Sequence, residues 1–177
     1  MTLETERLLF RHWQPEDAAQ LYKWAKDPDV GPMCGWAPHK SIEESAWTIA
    51  NILNGPECYA LVLKETGVPV GTAELMKAER FSKNSDECEL GYWLAKPYWG
   101  EHLMPEAAGE LLRHAFEDLN MNAVWCASFS DNPRSARVQW KLGFREQFTI
   151  AEMEFPLIHA VKTLNVRLLE KDGWREQ

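Results

Sequence analysis

Residues 87–119 constrain the fold of this 177-residue chain more than any other stretch. Glu89-Leu-Gly-Tyr-Trp-Leu94 lies in a β-rich run over Glu87–Ala95. Pro97–Met104 is a short connection carrying Gly100, and Pro105-Glu106-Ala107 opens a helix that should run to about Leu119. Pro fits the first turn of a helix, and an acid there favours its dipole. A strand, a tight glycine turn and a helix start place free backbone N–H groups at one point, which makes a ready anion site. Gly100 lets the backbone approach a bulky ligand. The next β-rich run is Ala123–Phe129, so this segment reads as strand–helix–strand.

The flanks complete a mixed architecture. Arg7–Arg11 alternates as a first strand, and Pro15-Glu16-Asp17 starts a helix with Ala18, Leu21, Tyr22 and Ala25 as its apolar stripe. Asp27–Pro38 holds three Pro and two Gly and reads as loop. Ser41-Ile-Glu-Glu44 is a capping box for a helix to about Asn54, stopped by Gly55. Tyr59–Lys64 and Val68–Met76 flank Glu65-Thr66-Gly67 as a hairpin. Asn122 is the expected left-handed stop of the 105–119 helix. Arg134–Leu142 reads as a short helix closed by Gly143, and Phe144–Phe155 and Thr163–Leu169 read as final strands. The expected fold is α/β (α+β): one domain over 1–177, with a central mixed, mostly antiparallel sheet flanked by helices on both faces.

Composition narrows the function classes. With 45% apolar and 26% charged residues the chain is globular rather than disordered. No run approaches the ~20 apolar residues of a membrane span. The opening MTLETERLLFRHW is charged throughout, unlike a signal or transit peptide. Four scattered Cys, with no C-x-x-C pair, read as reduced thiols in a cytoplasmic protein, and no metal is expected at His39 or His102. The net charge of −8 argues against a nucleic-acid binder. That charge is uneven. Residues 1–130 carry 11 Lys/Arg against 20 Asp/Glu, whereas residues 131–177 carry 8 against 7. Arg134, Arg137 and Lys141 have no acid among them and share one face of a helix. They form either a solvated basic face or a small anion site.

That helix completes a wider pattern. Asp131-Asn-Pro-Arg-Ser-Ala-Arg-Val-Gln-Trp-Lys-Leu-Gly-Phe144 is an N-x-x-S turn feeding a basic helix that ends in L-G-F. Together with the strand and glycine turn, it resembles the GNAT superfamily of acetyl-CoA-dependent N-acetyltransferases. The opening E-T-E-R-L (Glu4–Leu8), the E-L-G-Y-W strand, the W-G turn and the terminal L-L-E-K-D-G-W resemble the branch of ribosomal-protein N-terminal acetyltransferases, the Rim type. The resemblance runs from Leu3 to about Trp174.

It implies a role for each matching position. The strand Tyr92, Trp93, Leu94 would pair its backbone with the pantetheine arm of acetyl-CoA. The turn Trp99, Gly100, Glu101, His102, Leu103 and Met104 would hold the pyrophosphate through backbone N–H groups. Asn132 would hydrogen-bond the arm, Ser135 would sit near the thioester sulfur, and Arg134, Arg137 and Lys141 would meet phosphates. Two positions depart from the family pattern. His102 stands where the turn usually has a second small residue. Gln139 stands where many members carry a Tyr that protonates the departing thiolate, which leaves Ser135 as the candidate for that task. Ser135 can also cap the short helix.

Amide formation needs a neutral amine, and a general base must take the ammonium proton directly or through water. An α-amine titrates near ~8 and a lysine near ~10.4, so the α-amine needs less help. Glu89 is the first candidate base, on the strand that leads to the cofactor turn and at a base position of some relatives. By alternation Glu87, Glu89, Gly91 and Trp93 share one face. Glu74 on the neighbouring strand is the second candidate. Trp36 and His39, in the Gly31–His39 loop, are the candidate acceptor-binding residues. Of the nine Trp, Trp24, Trp47, Trp125 and Trp140 are expected in packing, and Trp36, Trp93 and Trp99 at the site. The expected partners are acetyl-CoA and an amine acceptor, either a protein N-terminus or a small molecule such as a polyamine, amino acid or amino sugar. The protein would be a monomer or homodimer. The competing reading is a non-catalytic acyl-CoA-binding domain.

Overall fold

The computed structural model describes residues 3–175, so residues 1–2 and 176–177 of the expected 1–177 domain lie outside the described residues. Seven strands form one sheet: β1 (Leu8–Arg11), β2 (Cys58–Leu63), β3 (Val68–Lys77), β4 (Glu87–Leu94), β5 (Ala123–Phe129), β6 (Arg145–Phe155) and β7 (Ala160–Glu170). Their order is β1-β2-β3-β4-β5-β7-β6. Every pairing is antiparallel except β4 with β5. The helices are α1 (Ala18–Ala25), α2 (Ile42–Asn51), α3 (Leu103–Arg113), α4 (Pro133–Lys141) and α5 (Lys171–Arg175).

The sheet is covered on both faces because its central strands are apolar on both. On β4, Cys88, Leu90 and Leu94 join Ala107, Leu111 and Leu112 of α3 in one core, whereas Trp93 joins Leu21 and Ala25 of α1 and Ile49 of α2 in the other. The hairpin of β2 and β3 turns through Gly67, whose φ of 69° needs a residue free of a Cβ clash.

Some local expectations shift. Helix α3 begins at Leu103, two residues before Pro105, and after Arg113 it widens into a π turn over His114–Asp118. Its left-handed stop is Asn120 (φ 56°), not Asn122. Helix α2 ends at Asn51, with Ile52 in ordinary helical conformation, so Gly55 is not its cap. The Ser41 hydroxyl accepts from the Glu44 N–H at 3.2 Å, but the Glu44 carboxylate reaches the Lys40 N–H at 2.6 Å, one residue beyond the expected box. Lys171–Arg175 is helical where no helix was expected. Trp47 and Trp140, expected in packing, are 59% and 57% exposed, because each faces outward on its helix.

The opening E-T-E-R motif acquires a physical role. Thr5 Oγ1 donates to Glu106 Oε1 at 2.5 Å, and Arg7 Nε donates to Glu106 Oε2 at 2.7 Å. Burial alone would raise the Glu106 carboxyl, but these bonds outweigh it and hold it below the usual range. The result fastens the first turn of α3 to β1.

Candidate active site

The parallel ladder between β4 and β5 covers only Glu87–Ala123, Cys88–Val124 and Glu89–Trp125. Beyond it β4 stays paired with β3 as far as Leu94, and β5 stays paired with β7 as far as Phe129. The two strands therefore diverge, and their inner edges lose a ladder partner over Leu90–Leu94 and Cys126–Phe129. A backbone edge of this kind needs a partner. The divergence opens a cleft of about 630 Å³ lined by both edges, the start of α3, one side of α4 and the loop around Trp36. That volume suits a small-molecule site.

On the α3 side the turn is held open. Gly100 (φ 85°) and His102 (φ 60°) are both left-handed, and a Cβ at Gly100 would meet nothing within 4 Å. Because Pro105 at the third position has no N–H, the free donors within the first turn of α3 are those of Leu103 and Met104. Both side chains are buried, so these two present backbone rather than side chain to a ligand. Lys141 Nζ lies 3.1 Å from His102 Nδ1 and donates to it, which leaves the ring hydrogen on Nε2. Arg134 lies over Trp99, its Cζ 4.6 Å from the ring centroid. Trp99 Nε1 donates to the Leu94 carbonyl at 2.7 Å. Arg134, Arg137 and Lys141 all line the cleft. Glu101 does not; it is exposed, and its carbonyl accepts from Arg7 Nη1 at 2.9 Å.

Asn132, not Ser135, caps α4: its side-chain oxygen accepts from the Ser135 N–H at 3.2 Å. Its Nδ2 reaches the Met33 carbonyl at 3.5 Å. Ser135 Oγ faces the Tyr92 hydroxyl at 2.9 Å, and burial pushes that phenol well above its usual range.

On the α1/α2 side the sheet register brings the two candidate carboxylates together. Glu74 sits opposite Gly91, and a Cβ at Gly91 would come within 3.2 Å of the Glu74 side chain. Glu89 is two residues along the same face. Burial raises the Glu74 carboxyl above the usual carboxylate range, and the neighbouring Glu89 charge adds to this, against a hydrogen bond with Cys58. Glu89 is 4% exposed, and Arg80 takes both its oxygens: Nη2 pairs with Oε1, and Nε donates to Oε2 at 3.2 Å. Arg80 comes from the loop after β3 and has no sequence signal of its own; only the fold brings it to Glu89.

Trp36 meets Trp93 edge-on, with centroids 6.0 Å apart, and Trp93 stacks on Trp13 at 6.3 Å. Trp36, Trp93 and Trp99 all line the cleft. His39 does not. Its Nδ1 is 2.7 Å from Ser45 Oγ on α2, and it packs behind Trp36 at 5.4 Å. Among the described residues no group of three or more His, Cys, Asp or Glu could hold a metal ion, and no helix is long and apolar enough to cross a membrane.

A family model described as Acetyltransferase (GNAT) domain matches residues 7–145. A protein named Uncharacterized N-acetyltransferase p20, from Bacillus licheniformis, is 27% identical over 158 residues, which is 86% of this chain and 87% of that protein. A solved acetyltransferase (GNAT family) from Bacillus anthracis has a TM-score of 0.83 at 17% identity and covers 97% of this chain and 99% of its own. Ribosomal-protein-S5-alanine acetyltransferase from Vibrio fischeri has a TM-score of 0.77 at 18% identity, with 98% of each chain covered. At these identities the two structures speak for the fold.

Proposed function

The chain belongs to the GNAT acetyltransferase family, and from that premise we propose that it moves the acetyl group of acetyl-CoA directly to a primary amine in the cleft between β4 and β5. The observation that carries the proposal is the early end of the β4–β5 ladder at Glu89–Trp125. The Tyr92–Leu94 edge of β4 has no strand partner on its β5 side and suits the amides of a pantetheine arm, with the Leu94 carbonyl already taken by Trp99 Nε1. The free N–H groups at Leu103 and Met104, with Arg137 and Lys141 opposite, suit its pyrophosphate. Acetyl-CoA supplies an acyl carbon activated as a thioester.

Glu74 is the proton acceptor in this account. Both oxygens of Glu89 are engaged by Arg80, whereas Glu74 is half-buried, raised by burial and faces the same cleft. One ammonium proton passes to Glu74 and on to water. The amine nitrogen then bonds to the acyl carbon as the carbon–sulfur bond breaks. The second proton, shed as the amide forms, balances the charge left on sulfur. Ser135 lies on the α4 side of the gap, where it can donate to that sulfur.

The acceptor that suits the cleft best is an α-amine beside apolar surface, such as a protein N-terminus. Trp36, Trp93 and Met76 line the acceptor end, and Glu74 and Glu89 are the acidic residues of the lining. A polyamine would bring several ammonium groups to two carboxylates, one of them already paired with Arg80. The test is thiol release from acetyl-CoA with a peptide bearing a free α-amine, an Nα-blocked lysine peptide and spermidine. Fastest release is expected with the α-amine. Release with spermidine alone would overturn the acceptor, and release with none would overturn the reaction.

The basic face gives a separate expectation. Arg137→Glu combined with Lys141→Glu should weaken acetyl-CoA binding by about 10-fold or more and reduce its salt dependence, since charge-assisted phosphate contacts contribute about 1.5–3 kcal/mol each. Calorimetric titration at two salt concentrations checks it, and unchanged affinity would remove both residues from the site.

A further inference from the structure

Arg167, on β7 beneath α4, is 1% exposed, an unusual position for a guanidinium. Its Nη1 donates to Gln139 Oε1 at 2.6 Å and to Ser128 Oγ at 3.1 Å, its Nη2 donates to Glu146 Oε1 at 3.0 Å, and it lies under the Trp140 ring at 5.3 Å. Gln139 is itself fully buried.

These contacts fix a direction. A guanidinium has donors only, so Gln139 must turn its oxygen toward Arg167 and its Nε2 away. That Nε2 donates to Ser135 Oγ at 3.2 Å. The Tyr92 hydroxyl lies 2.9 Å from the same oxygen and donates to the Ser135 carbonyl at 3.2 Å. A serine hydroxyl has two lone pairs and one hydrogen. With Gln139 donating to one lone pair, the Ser135 hydrogen is turned away from Gln139, toward the cleft that Ser135 and Tyr92 both line. A buried cation at the far end of such a chain strengthens each donor along it.

We propose that Arg167 and Gln139 are positioning residues that turn the Ser135 hydroxyl into a hydrogen-bond donor for the sulfur leaving acetyl-CoA. The proposal rests on the acetyl-transfer reading above. The relay gives up no proton, because the proton shed by the amine already balances the sulfur.

Gln139→Glu separates this role from a structural one. A carboxylate keeps, and charges, the contact with Arg167, so the fold is retained. It has no hydrogen to give, so the Ser135 O–H turns to it and away from the cleft. The expected result is a kcat lower by about 10²-fold, with acetyl-CoA affinity within about threefold of wild type and no fall in Tm. In a Ser135→Ala background the same substitution should cost nothing further, since both remove one donor. If Gln139→Glu does not fold, Gln139→Met carries the test through its coupling: it frees the Ser135 hydroxyl from its donor, and the kcat it loses in wild type should not be lost again in a Ser135→Ala background. Wild-type kcat in Gln139→Glu, or an undiminished further loss on top of Ser135→Ala, would overturn the relay alone. A wild-type chain that binds acetyl-CoA but releases no thiol with any amine would overturn the acetyl-transfer reading, and the relay with it.

Discussion

Glu74→Gln is expected to lower kcat by about 10²-fold or more, the range of a lost general base, while making the protein more stable at neutral pH. The two effects have one cause. Burial raises the Glu74 carboxyl, the Glu89 charge adds to it, and the Cys58 hydrogen bond only partly opposes. When the folded-state pKa exceeds the unfolded one, the folded protein binds more protons between the two values. Stability therefore falls as pH rises through that interval. Below the unfolded value both states are protonated and the group contributes nothing. Glutamine resembles the protonated acid at every pH. The variant should match wild-type Tm at about pH 4 and exceed it at about pH 8. Activity follows the same titration in the opposite sense. A base must be ionised to accept a proton, so wild-type kcat/KM should fall as pH drops through the raised value of Glu74. That limb should be absent from the Gln variant. Thermal melts and a pH–rate profile check both halves. Wild-type turnover in Glu74→Gln would remove Glu74 from the reaction.

Gly71→Ala is expected to be the most damaging single methyl in the sheet. A Cβ there would lie 2.4 Å from the Trp93 carbonyl oxygen and 3.1 Å from the Leu94 Cα. Both are backbone, and Gly71 is held on its two sides by Leu61 of β2 and Leu94 of β4. The methyl can be accommodated only by parting the β3–β4 ladder where the free edge of β4 meets the cleft. Overpacking of this kind costs about 3 kcal/mol, or about 6–12 °C in Tm for a chain of this size. The KM for acetyl-CoA should rise with it, since Trp93 and Leu94 are displaced. Gly55→Ala is the control: its new Cβ would be 3.6 Å from Cys58 Cβ, an ordinary contact. Its Tm should change by less than about 2 °C. Equal melting of Gly71→Ala and Gly55→Ala would show that the ladder yields more easily than its contacts imply.

The strands and the cleft strand–turn–helix were legible in sequence because their signals are local: β-rich runs, a glycine turn and apolar stripes at helical spacing. What stayed hidden depends on register and on contacts across the chain. Alternation put Glu89, Gly91 and Trp93 on one face, but only the pairing of Glu74 with Gly91 brings the second carboxylate beside the first. Arg80 is an ordinary loop arginine until the fold places it against Glu89. The buried chain from Arg167 to Ser135 joins residues 28 and 4 apart in sequence, with no spacing that marks them. His39 stays off the cleft because the loop turns it back onto Ser45, whereas Trp36 lines it. Trp47 and Trp140 show the limit of assigning a tryptophan from its element alone, since a helix has an outside as well as an inside.

Amide hydrogen exchange with and without acetyl-CoA tests the central claim most directly, because the proposed contacts are backbone N–H groups. The account predicts slowed exchange along Gly91–Leu94 of β4, at the turn and helix start 100–104, and over the first turns of α4, with little change in β1, β2 and β6. Unchanged exchange in β4 and at the start of α3 under saturating acetyl-CoA would contradict it.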